Sequence, residues 1–234
     1  MPNLIANIRT DLGLLDSEHD IDVLISSDPG CSSGFVLLAK GQELLRTGRA
    51  SVCIACCVNV ISVKELFLSP LNLMTRTTPM PFGLNRDGGS FIEGVSTFIL
   101  TTQDYQISHQ LPSYGKIRVR GEYIDALEPD IIMMNKTLQD SGLAAADISY
   151  VSLHGAGTVQ GDRNEFRAFE RAYASQERSS NLYVGTLNAV IGNAMIASGF
   201  TQIISVLLSL STNIAPSFMI PSNPYSFGDE CDFT

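Results

Sequence analysis

The sequence predicts an α/β fold in which helices pack on a sheet. Apolar runs of strand length alternate along the chain with segments of helical periodicity, and this alternation is typical of layered α/β proteins. Of the 234 residues, 44% are apolar and 17% are charged, which provides for a sizeable core and excludes a disordered chain. The length fits one large domain or two small ones.

Residues that end helices and apolar runs of strand length predict the bounds of the individual helices and strands. A predicted strand at 21–25 precedes a helix at 32–47, which Gly48 ends. The near-continuous apolar run at 52–61 predicts a strand covered on both faces. The later elements follow from the same patterns: a strand at 91–100, a polar surface excursion at 103–127, a helix at 130–141, a strand at 148–153, an amphipathic helix at 162–174, a strand at 182–186, an apolar helix at 194–210 and an extended tail marked by Pro216 and Pro221.

The charge and the hydropathy pattern exclude several classes of protein. The 15 basic and 24 acidic residues give a net charge of −9, which argues against a nucleic-acid partner. No apolar run reaches about 18 residues, so we expect no transmembrane helix and no membrane partner. The first ten residues lack the apolar core of a signal peptide, and we expect a cytoplasmic protein.

The cysteines are odd in number, which indicates reduced thiols in a protein that is not secreted. They are Cys31, Cys53, Cys56, Cys57 and Cys231. Cys53 and Cys56 have CxxC spacing, but no second ligand pair follows at a distance suited to zinc. We therefore interpret the three cysteines of the apolar run as buried core residues, and we expect neither a metal nor a cofactor.

Cys31 is a candidate nucleophile. It lies in a stretch of small residues between the strand at 21–25 and the helix at 32–47. The free N–H groups and the dipole at a helix start favour a thiolate, and the small neighbours leave room for a substrate. An ordinary helix cap explains the same pattern equally well.

His154 is a second candidate, because it stands where a predicted strand ends in a glycine-rich turn. The C-terminal ends of strands are where α/β folds bind ligands, and an imidazole there can donate a hydrogen bond or move a proton. The other two histidines have simpler explanations. His19 lies among acidic residues and His109 in the polar excursion, so both are interpreted as solvated side chains.

Two asparagines and three acids complete the set of candidate residues. Asn188 and Asn193 precede the apolar helix, where an asparagine either caps the helix or donates its amide to an oxyanion. Glu93, Asp162 and Glu165 lie close to glycines, and we interpret them as structural anchors.

Several separate stretches, in order, resemble the β-ketoacyl synthases of fatty-acid and polyketide assembly. The matching stretches are CSSG at 31–34, RTGRASVCIA at 46–55, PF at 81–82, RDG at 86–88, EG at 93–94, HGAGT at 154–158 with Asp162 and Glu165, IAP at 214–216, NP at 223–224 and ECD at 230–232. The tail resembles most the discrete ketosynthases of bacterial fatty-acid and aromatic polyketide pathways. The resemblance covers nearly the whole chain.

The resemblance implies a thiolase-like layered αβαβα sandwich of two similar halves, usually dimeric. Residues 1–128 would then be the remainder of the N-terminal half, and residues 129–234 a truncated C-terminal half. It also implies a decarboxylative Claisen condensation, in which Cys31 accepts an acyl group from an acyl carrier protein and His154 assists the loss of CO2. The expected partners are the carrier protein and a second ketosynthase chain, in a homodimer or a heterodimer.

The sequence departs from the family at two site positions, where Asn188 and Asn193 stand in place of the usual lysine and second histidine. Two interpretations follow. Either Asn193 donates to the enolate oxygen in the histidine's place, or decarboxylation is lost and the chain is a non-condensing subunit, a remnant or an acyl transferase only. The resemblance also implies that the family's first strands and its C-terminal glycine-rich turn lie outside these 234 residues.

Overall fold

The computed structural model of the chain describes residues 30–61, 73–119, 129–174, 177 and 179–214. The predicted strand at 21–25, the tail with Pro216 and Pro221, and the side chains of His19 and Cys231 lie outside them. The elements in chain order are α1 (Ser33–Arg46), β1 (Val52–Asn59), β2 (Gly94–Thr101), α2 (Gln103–Ser108), α3 (Pro129–Ser141), β3 (Tyr150–Ser152), α4 (Val159–Phe169), β4 (Tyr183–Gly185) and α5 (Ser198–Thr212). The alternation of strands and helices therefore confirms the predicted α/β class.

Strands β1 and β2 form an antiparallel pair with one face packed on helices α1 and α5. Alternate residues of both strands are buried on that face, as a half-covered antiparallel pair requires. The ring of Phe98 on β2 meets the ring of Phe200 on α5 edge to face, with centroids 4.8 Å apart. Phe200 also lies directly against Gly34 on α1, where any side chain would clash with it. These contacts fix the start of α1 against α5.

The opposite face of the β1–β2 pair is exposed and apolar within the described part of the chain. Ile54 pairs with Ile99 across the strands, and the two side chains are 72% and 69% exposed. Val58 pairs with Val95 in the same way, and both are exposed. The prediction that the run at 52–61 is covered on both faces is therefore wrong for the described residues. An apolar run has the same composition whether both faces of the strand are buried or one face is left exposed, so it does not distinguish the two cases.

The same alternation corrects the prediction for the cysteines of β1. Cys57 points into the core and is 1% exposed, Cys53 is half-buried, and Cys56 points to the exposed face. Side chains of a strand alternate between faces, so adjacent cysteines cannot all be buried when one face is open. The described residues contain no cluster of three or more metal-binding side chains.

A second core lies between the short parallel pair β3–β4 and helices α3 and α4. The amphipathic α4 contributes Phe166 and Phe169, which pack with Leu153 and Phe82. Thr158 caps α4 by accepting a hydrogen bond from Gly161 N, so the helix begins at Val159, three residues before the predicted start. It continues as a π-helical turn at Glu170–Ala174. Helices and strands here lie within the predicted spans or within about three residues of them.

The loop before β2 joins the two cores. Gly88 N donates to the carbonyl of Gly157 at 2.9 Å, and Asn193 N donates to the carbonyl of Ser90 at 2.7 Å. Gly157 has a φ of +75°, and a Cβ there would overlap the carbonyl of Gly88. Only glycine satisfies both demands. The loop thereby brings the HGAGT turn and the segment around Asn193 to one side of the molecule.

The polar excursion at 103–127 and the apolar helix near the end of the described chain add detail to the predictions. The excursion at 103–127 is mostly exposed over its described part, as predicted, but Ile117 and Val119 are half-buried against the core that contains Phe98. It begins with the short helix α2, which Thr102 caps through Tyr105 N. Within the described residues, the helical span Met195–Thr212 is long and apolar enough to cross a membrane by length and composition alone. Polar residues interrupt this span, so the prediction that no apolar run reaches about 18 residues is not contradicted, and the core helix of a globular protein meets the same criterion. The first residues of α5 are buried against α1 and β2.

Candidate active site

Cys31 lies in a 3₁₀ turn, Gly30–Ser32, that leads directly into α1. Gly30 has a φ of +64°, and its carbonyl accepts a hydrogen bond from the Ser33 hydroxyl at 2.6 Å. The carbonyl oxygen of Cys31 lies 3.5 Å from the position that a Cβ would take on Gly199 of α5. The half-buried thiol is thus held at the positive end of a 14-residue helix, where a thiolate is favoured.

Asn193 faces the thiol from the other side of the site. Its Oδ1 accepts a hydrogen bond from Met195 N at 2.8 Å, which orients the amide. Its Nδ2 then lies 3.7 Å from the Cys31 sulfur. The backbone of Asn193 is fixed by hydrogen bonds with Ser90 and Ile92, at 2.7 and 3.0 Å. The Asn193 side chain therefore accepts a hydrogen bond from the segment that follows it and presents N–H to the thiol.

The surroundings of Cys31 favour its ionised form. Burial by itself raises the pKa of the thiol, but hydrogen bonding to His154, the charge of His154 and the Asn193 amide together lower the pKa below its ordinary value. The two other thiols whose pKa is shifted behave in the opposite way. Burial raises the pKa of Cys53, and burial beside Cys56 raises the pKa of Cys57 to about 11.

The backbone of His154 is held on both sides. Its N–H and that of Gly155 donate to the two carboxylate oxygens of Glu165. Its carbonyl accepts from Asn188 Nδ2 at 2.8 Å and from the Thr186 hydroxyl at 2.9 Å. Because β3 and β4 are parallel neighbours, the residues that follow each strand emerge at the same edge, which is why His154 and Asn188 meet.

Asp162 holds the glycine turn after His154. One carboxylate oxygen accepts from Gly157 N at 2.9 Å and the other from Phe82 N at 2.7 Å. Arg86 approaches the carboxylate at 3.6 Å, and both side chains are buried. Burial raises the pKa of Asp162, while the two amides, Arg86 and His154 oppose that rise. These contacts agree with the interpretation of Asp162 as an anchor.

The structure brings Cys31, His154 and Asn193 together from three distant parts of the chain. The two acids near His154 serve as anchors, and Glu93 accepts a hydrogen bond from Ile61 N at 3.0 Å beside β1. His109 is exposed and stacks on Tyr105, as a solvated residue does. The sequence predicts a cap or an oxyanion donor at Asn188, but in the structure its amide is directed at His154. Only the parallel pairing of β3 with β4 reveals that contact.

The chain is similar in sequence to polyketide synthases. Residues 122–219 match the family described as "Beta-ketoacyl synthase, C-terminal domain". The non-reducing polyketide synthase stbA of Stachybotrys bisbyi is 30% identical over 198 residues, which cover 77% of this chain and 9% of that protein. The tetracenomycin polyketide synthase ketoacyl synthase alpha subunit of Streptomyces glaucescens is 26% identical over 224 residues, which cover 87% of this chain. The chain spans half the length of the second relative.

Solved ketosynthase structures share the fold. The oxazolomycin ketosynthase domain OzmH KS7 of Streptomyces albus JA3453 superposes with a TM-score of 0.75 at 25% identity, over 85% of this chain and 38% of that one. The ishigamide ketosynthase/chain length factor gives 0.72 at 19% identity, over 80% and 48%. A type II ketosynthase in complex with its acyl-carrier protein, AntDE:AntF, gives 0.70 at 20% identity, over 91% and 55%.

The matched blocks, the fold and the relatives agree with one another. Residues 122–219 match a ketosynthase family, the relatives are named as polyketide synthases, and the solved structures that share the fold are named as ketosynthases. The predicted thiolase-like α/β fold is thereby confirmed, and the chain belongs to the ketosynthase family of the thiolase-like superfamily.

Proposed function

We propose that this chain acts in a β-ketoacyl synthase of polyketide biosynthesis, with Cys31 as the residue that carries the acyl group. The supporting observation is the position of its thiol at the start of α1, facing His154 and the Asn193 amide, with a lowered pKa. A thiolate poised in this way is the attacking group that acyl transfer needs. The same chemistry serves fatty-acid synthesis, and the relatives named as polyketide synthases favour the polyketide pathway.

The proposed reaction has two stages. In the first, the Cys31 thiolate attacks the thioester carbonyl of an acyl-carrier protein, a new C–S bond forms and the carrier's thiolate leaves. In the second, the C–C bond to the carboxylate of a malonyl-carrier protein breaks, CO2 leaves, and the electron pair moves onto an enolate oxygen. His154 and Asn193 donate hydrogen bonds to that oxygen. The enolate carbon then attacks the acyl thioester, and the Cys31 thiolate is released.

A second candidate function is acyl transfer without chain extension, in a non-condensing subunit. Asn193 favours it, because an amide replaces the family's second histidine beside the thiol. Loss of one oxyanion donor costs roughly 10²–10³ in rate, so a weakened donor set lowers decarboxylation far more than acylation. The two functions therefore differ in one measurable quantity, the release of CO2.

Replacing His154 with alanine is expected to lower CO2 release from malonyl-carrier protein by about 10²–10³-fold, because one donor to the enolate oxygen is lost. The release is measured with the purified chain together with any subunit that co-purifies. His109→Ala is the matched control, since His109 is exposed and stacks on Tyr105. Acylation of Cys31 without any CO2 release from the unmodified protein would support the transfer function instead. Release that is independent of His154 would contradict the assigned role.

We also propose that the working protein pairs with a second ketosynthase-type chain and receives its substrates from an acyl carrier protein. Both kinds of partner occur in structural neighbours of this chain, a ketosynthase/chain length factor and a ketosynthase bound to its carrier protein. The exposed face around Ile54 and Ile99 supports pairing, because apolar patches of this kind mark protein contacts.

We further infer a cytoplasmic location and assign residues 1–128 and 129–234 to the two halves of the fold. The family match at 122–219 supports that boundary.

Pairing is tested by the mass of the purified chain in solution. We expect a mass of at least two ketosynthase-type chains by light scattering, and we expect Ile99→Lys to shift the protein towards the single chain, because it places a charge on the proposed contact. Thr47→Lys is the control, since Thr47 is exposed at the end of α1. A stable single chain in the unmodified protein would contradict the pairing.

A further inference from the structure

We propose that Asn188 is a positioning residue that holds His154 in one tautomer, with its proton on Nε2. This inference rests on the proposed function, because it assigns how His154 is prepared to donate a hydrogen bond in that reaction. Asn188 is 3% exposed and lies inside the 3₁₀ turn Leu187–Ala189. The N-cap of that turn is Thr186, so Asn188 does not cap it. Its side chain is committed instead to the backbone and the ring of His154.

The contacts of Asn188 determine which way its amide is oriented. The carbonyl oxygen of His154 lies 2.8 Å from Nδ2, and a carbonyl oxygen can only accept a hydrogen bond. The atom that faces it must therefore be the amide nitrogen. The Ser198 hydroxyl, 3.4 Å from Oδ1, is free to donate to the other end of the amide. Both contacts select the same orientation.

The amide orientation in turn determines the state of the imidazole. Asn188 Nδ2 carries two hydrogens; one is directed to the His154 carbonyl, and the second faces Nδ1 of the ring at 3.4 Å. A nitrogen that accepts a hydrogen bond cannot also carry a proton in the ring plane. In the neutral ring Nδ1 is therefore the unprotonated nitrogen and the proton resides on Nε2, whereas the charged ring that lowers the pKa of Cys31 carries a proton on both nitrogens.

The charged groups around His154 leave this arrangement undisturbed. The carboxylate of Glu165 receives the backbone N–H groups of His154 and Gly155. Asp162 interacts with His154 by charge, but its two oxygens receive the N–H groups of Phe82 and Gly157. Within the described residues, the amide of Asn188 is the group seen to contact Nδ1. With Nδ1 engaged by Asn188, Nε2 is the ring nitrogen left for the hydrogen bond between His154 and the Cys31 thiol.

The consequence for the reaction is a donor that needs no prior proton transfer. With the proton on Nε2, His154 donates directly to the thiolate and then to the enolate oxygen, alongside the Asn193 amide. An imidazole with the proton on Nδ1 would present a lone pair to both and would repel the developing charge. Holding the wrong tautomer of a catalytic histidine costs up to about 10⁴ in rate. Asn188 thus contributes through His154 without touching the substrate.

The test is the tautomer of His154, measured by the ¹⁵N shifts of its two ring nitrogens at pH of about 8.5, above the ordinary titration range of imidazole. The sequence has three histidines, so the spectrum is simple, and loss of a signal pair in His154→Ala assigns it. We expect the proton on Nε2 in the unmodified protein. In Asn188→Asp we expect a proton on Nδ1, because a carboxylate only accepts hydrogen bonds. Asn135→Asp, an equal change at an exposed position of α3, is the control.

A proton on Nδ1 in the unmodified protein would overturn the inference, and so would an unchanged Nε2 tautomer in folded Asn188→Asp. Should that variant fail to fold, the tautomer of the unmodified protein still decides. CO2 release is measured separately, and we expect Asn188→Asp to lower it by about 10²–10⁴-fold. A correct tautomer without CO2 release would refute condensation and leave the role of Asn188 intact. CO2 release with the proton on Nδ1 would refute the role of Asn188 and leave condensation intact.

Discussion

Replacing Cys31 with alanine is expected to abolish acylation of the chain by an acyl-carrier protein. The Cys31 thiol lies at the start of α1 and has a pKa below its ordinary value, so a larger fraction of it is ionised at a given pH than of an ordinary thiol. Intact-protein mass spectrometry after incubation with the loaded carrier measures the acyl adduct. Cys56→Ala is the matched control, because Cys56 is a free thiol on the exposed face of β1.

The pH dependence of alkylation provides an independent comparison among the same thiols. A lowered pKa means that Cys31 reaches half of its maximal alkylation rate at a lower pH than an ordinary thiol. The pKa of Cys57 is raised to about 11, so Cys57 should stay unreactive until strongly alkaline pH. Equal acylation of Cys31→Ala and the unmodified protein would remove Cys31 as the nucleophile. A midpoint for Cys31 no lower than that of an ordinary thiol would refute the influence of His154 and Asn193.

Replacing Asp162 with alanine is expected to lower the free energy of unfolding by about 3–5 kcal/mol, the usual cost of breaking a buried charged pair. The change removes the acceptor of the Phe82 and Gly157 amides and leaves buried Arg86 without its nearby carboxylate. Each orphaned buried donor contributes to the loss. Urea denaturation measures the effect, which is large for a protein of marginal stability.

Asp147→Ala is the control for that measurement. Asp147 is exposed and accepts one hydrogen bond from Ala144 N at 2.8 Å, so its replacement should cost about 1 kcal/mol. A loss in Asp162→Ala no greater than in this control would show that the anchor is dispensable. Because Asp162 holds the turn that follows His154, the destabilised variant should also lose CO2 release. Aspartate at 162 thus links stability to the geometry of the candidate site.

Local sequence signals were sufficient for most elements of the fold. Helix α1 ends where Gly48 predicts, with a φ of +69° that glycine tolerates best. Helix α3 spans Pro129–Ser141 and is followed by Gly142, as predicted. The ends of these helices depend on residues that are adjacent in the chain, so the sequence is sufficient to predict them. Helix α4 starts three residues before its predicted position because Thr158, within the HGAGT turn, is its cap.

Burial on β1 could not be predicted in the same way. An apolar run predicts a strand, but it does not state how many neighbours will cover it. The structure leaves the Ile54 face open and turns Cys56 towards it. Likewise, the helical span Met195–Thr212 meets the length and composition of a membrane span, while the first residues of α5 within it are buried in the core. Hydropathy reports the composition of a segment, and only the packing of the folded chain determines whether its apolar surface contacts the core, solvent or lipid.

For the site, the sequence by itself determined the residue types and their local settings. It placed a cysteine at a helix start, a histidine in a glycine turn and acids suited to anchor that turn. The tertiary structure decided which of them meet. Cys31 and Asn193 are 162 residues apart in the chain, and the loop before β2 together with the Phe98–Phe200 contact brings them together. The direction of the Asn188 amide also required the structure, because a hydrogen-bonded side chain is oriented by the partners around it and not by its neighbours in sequence.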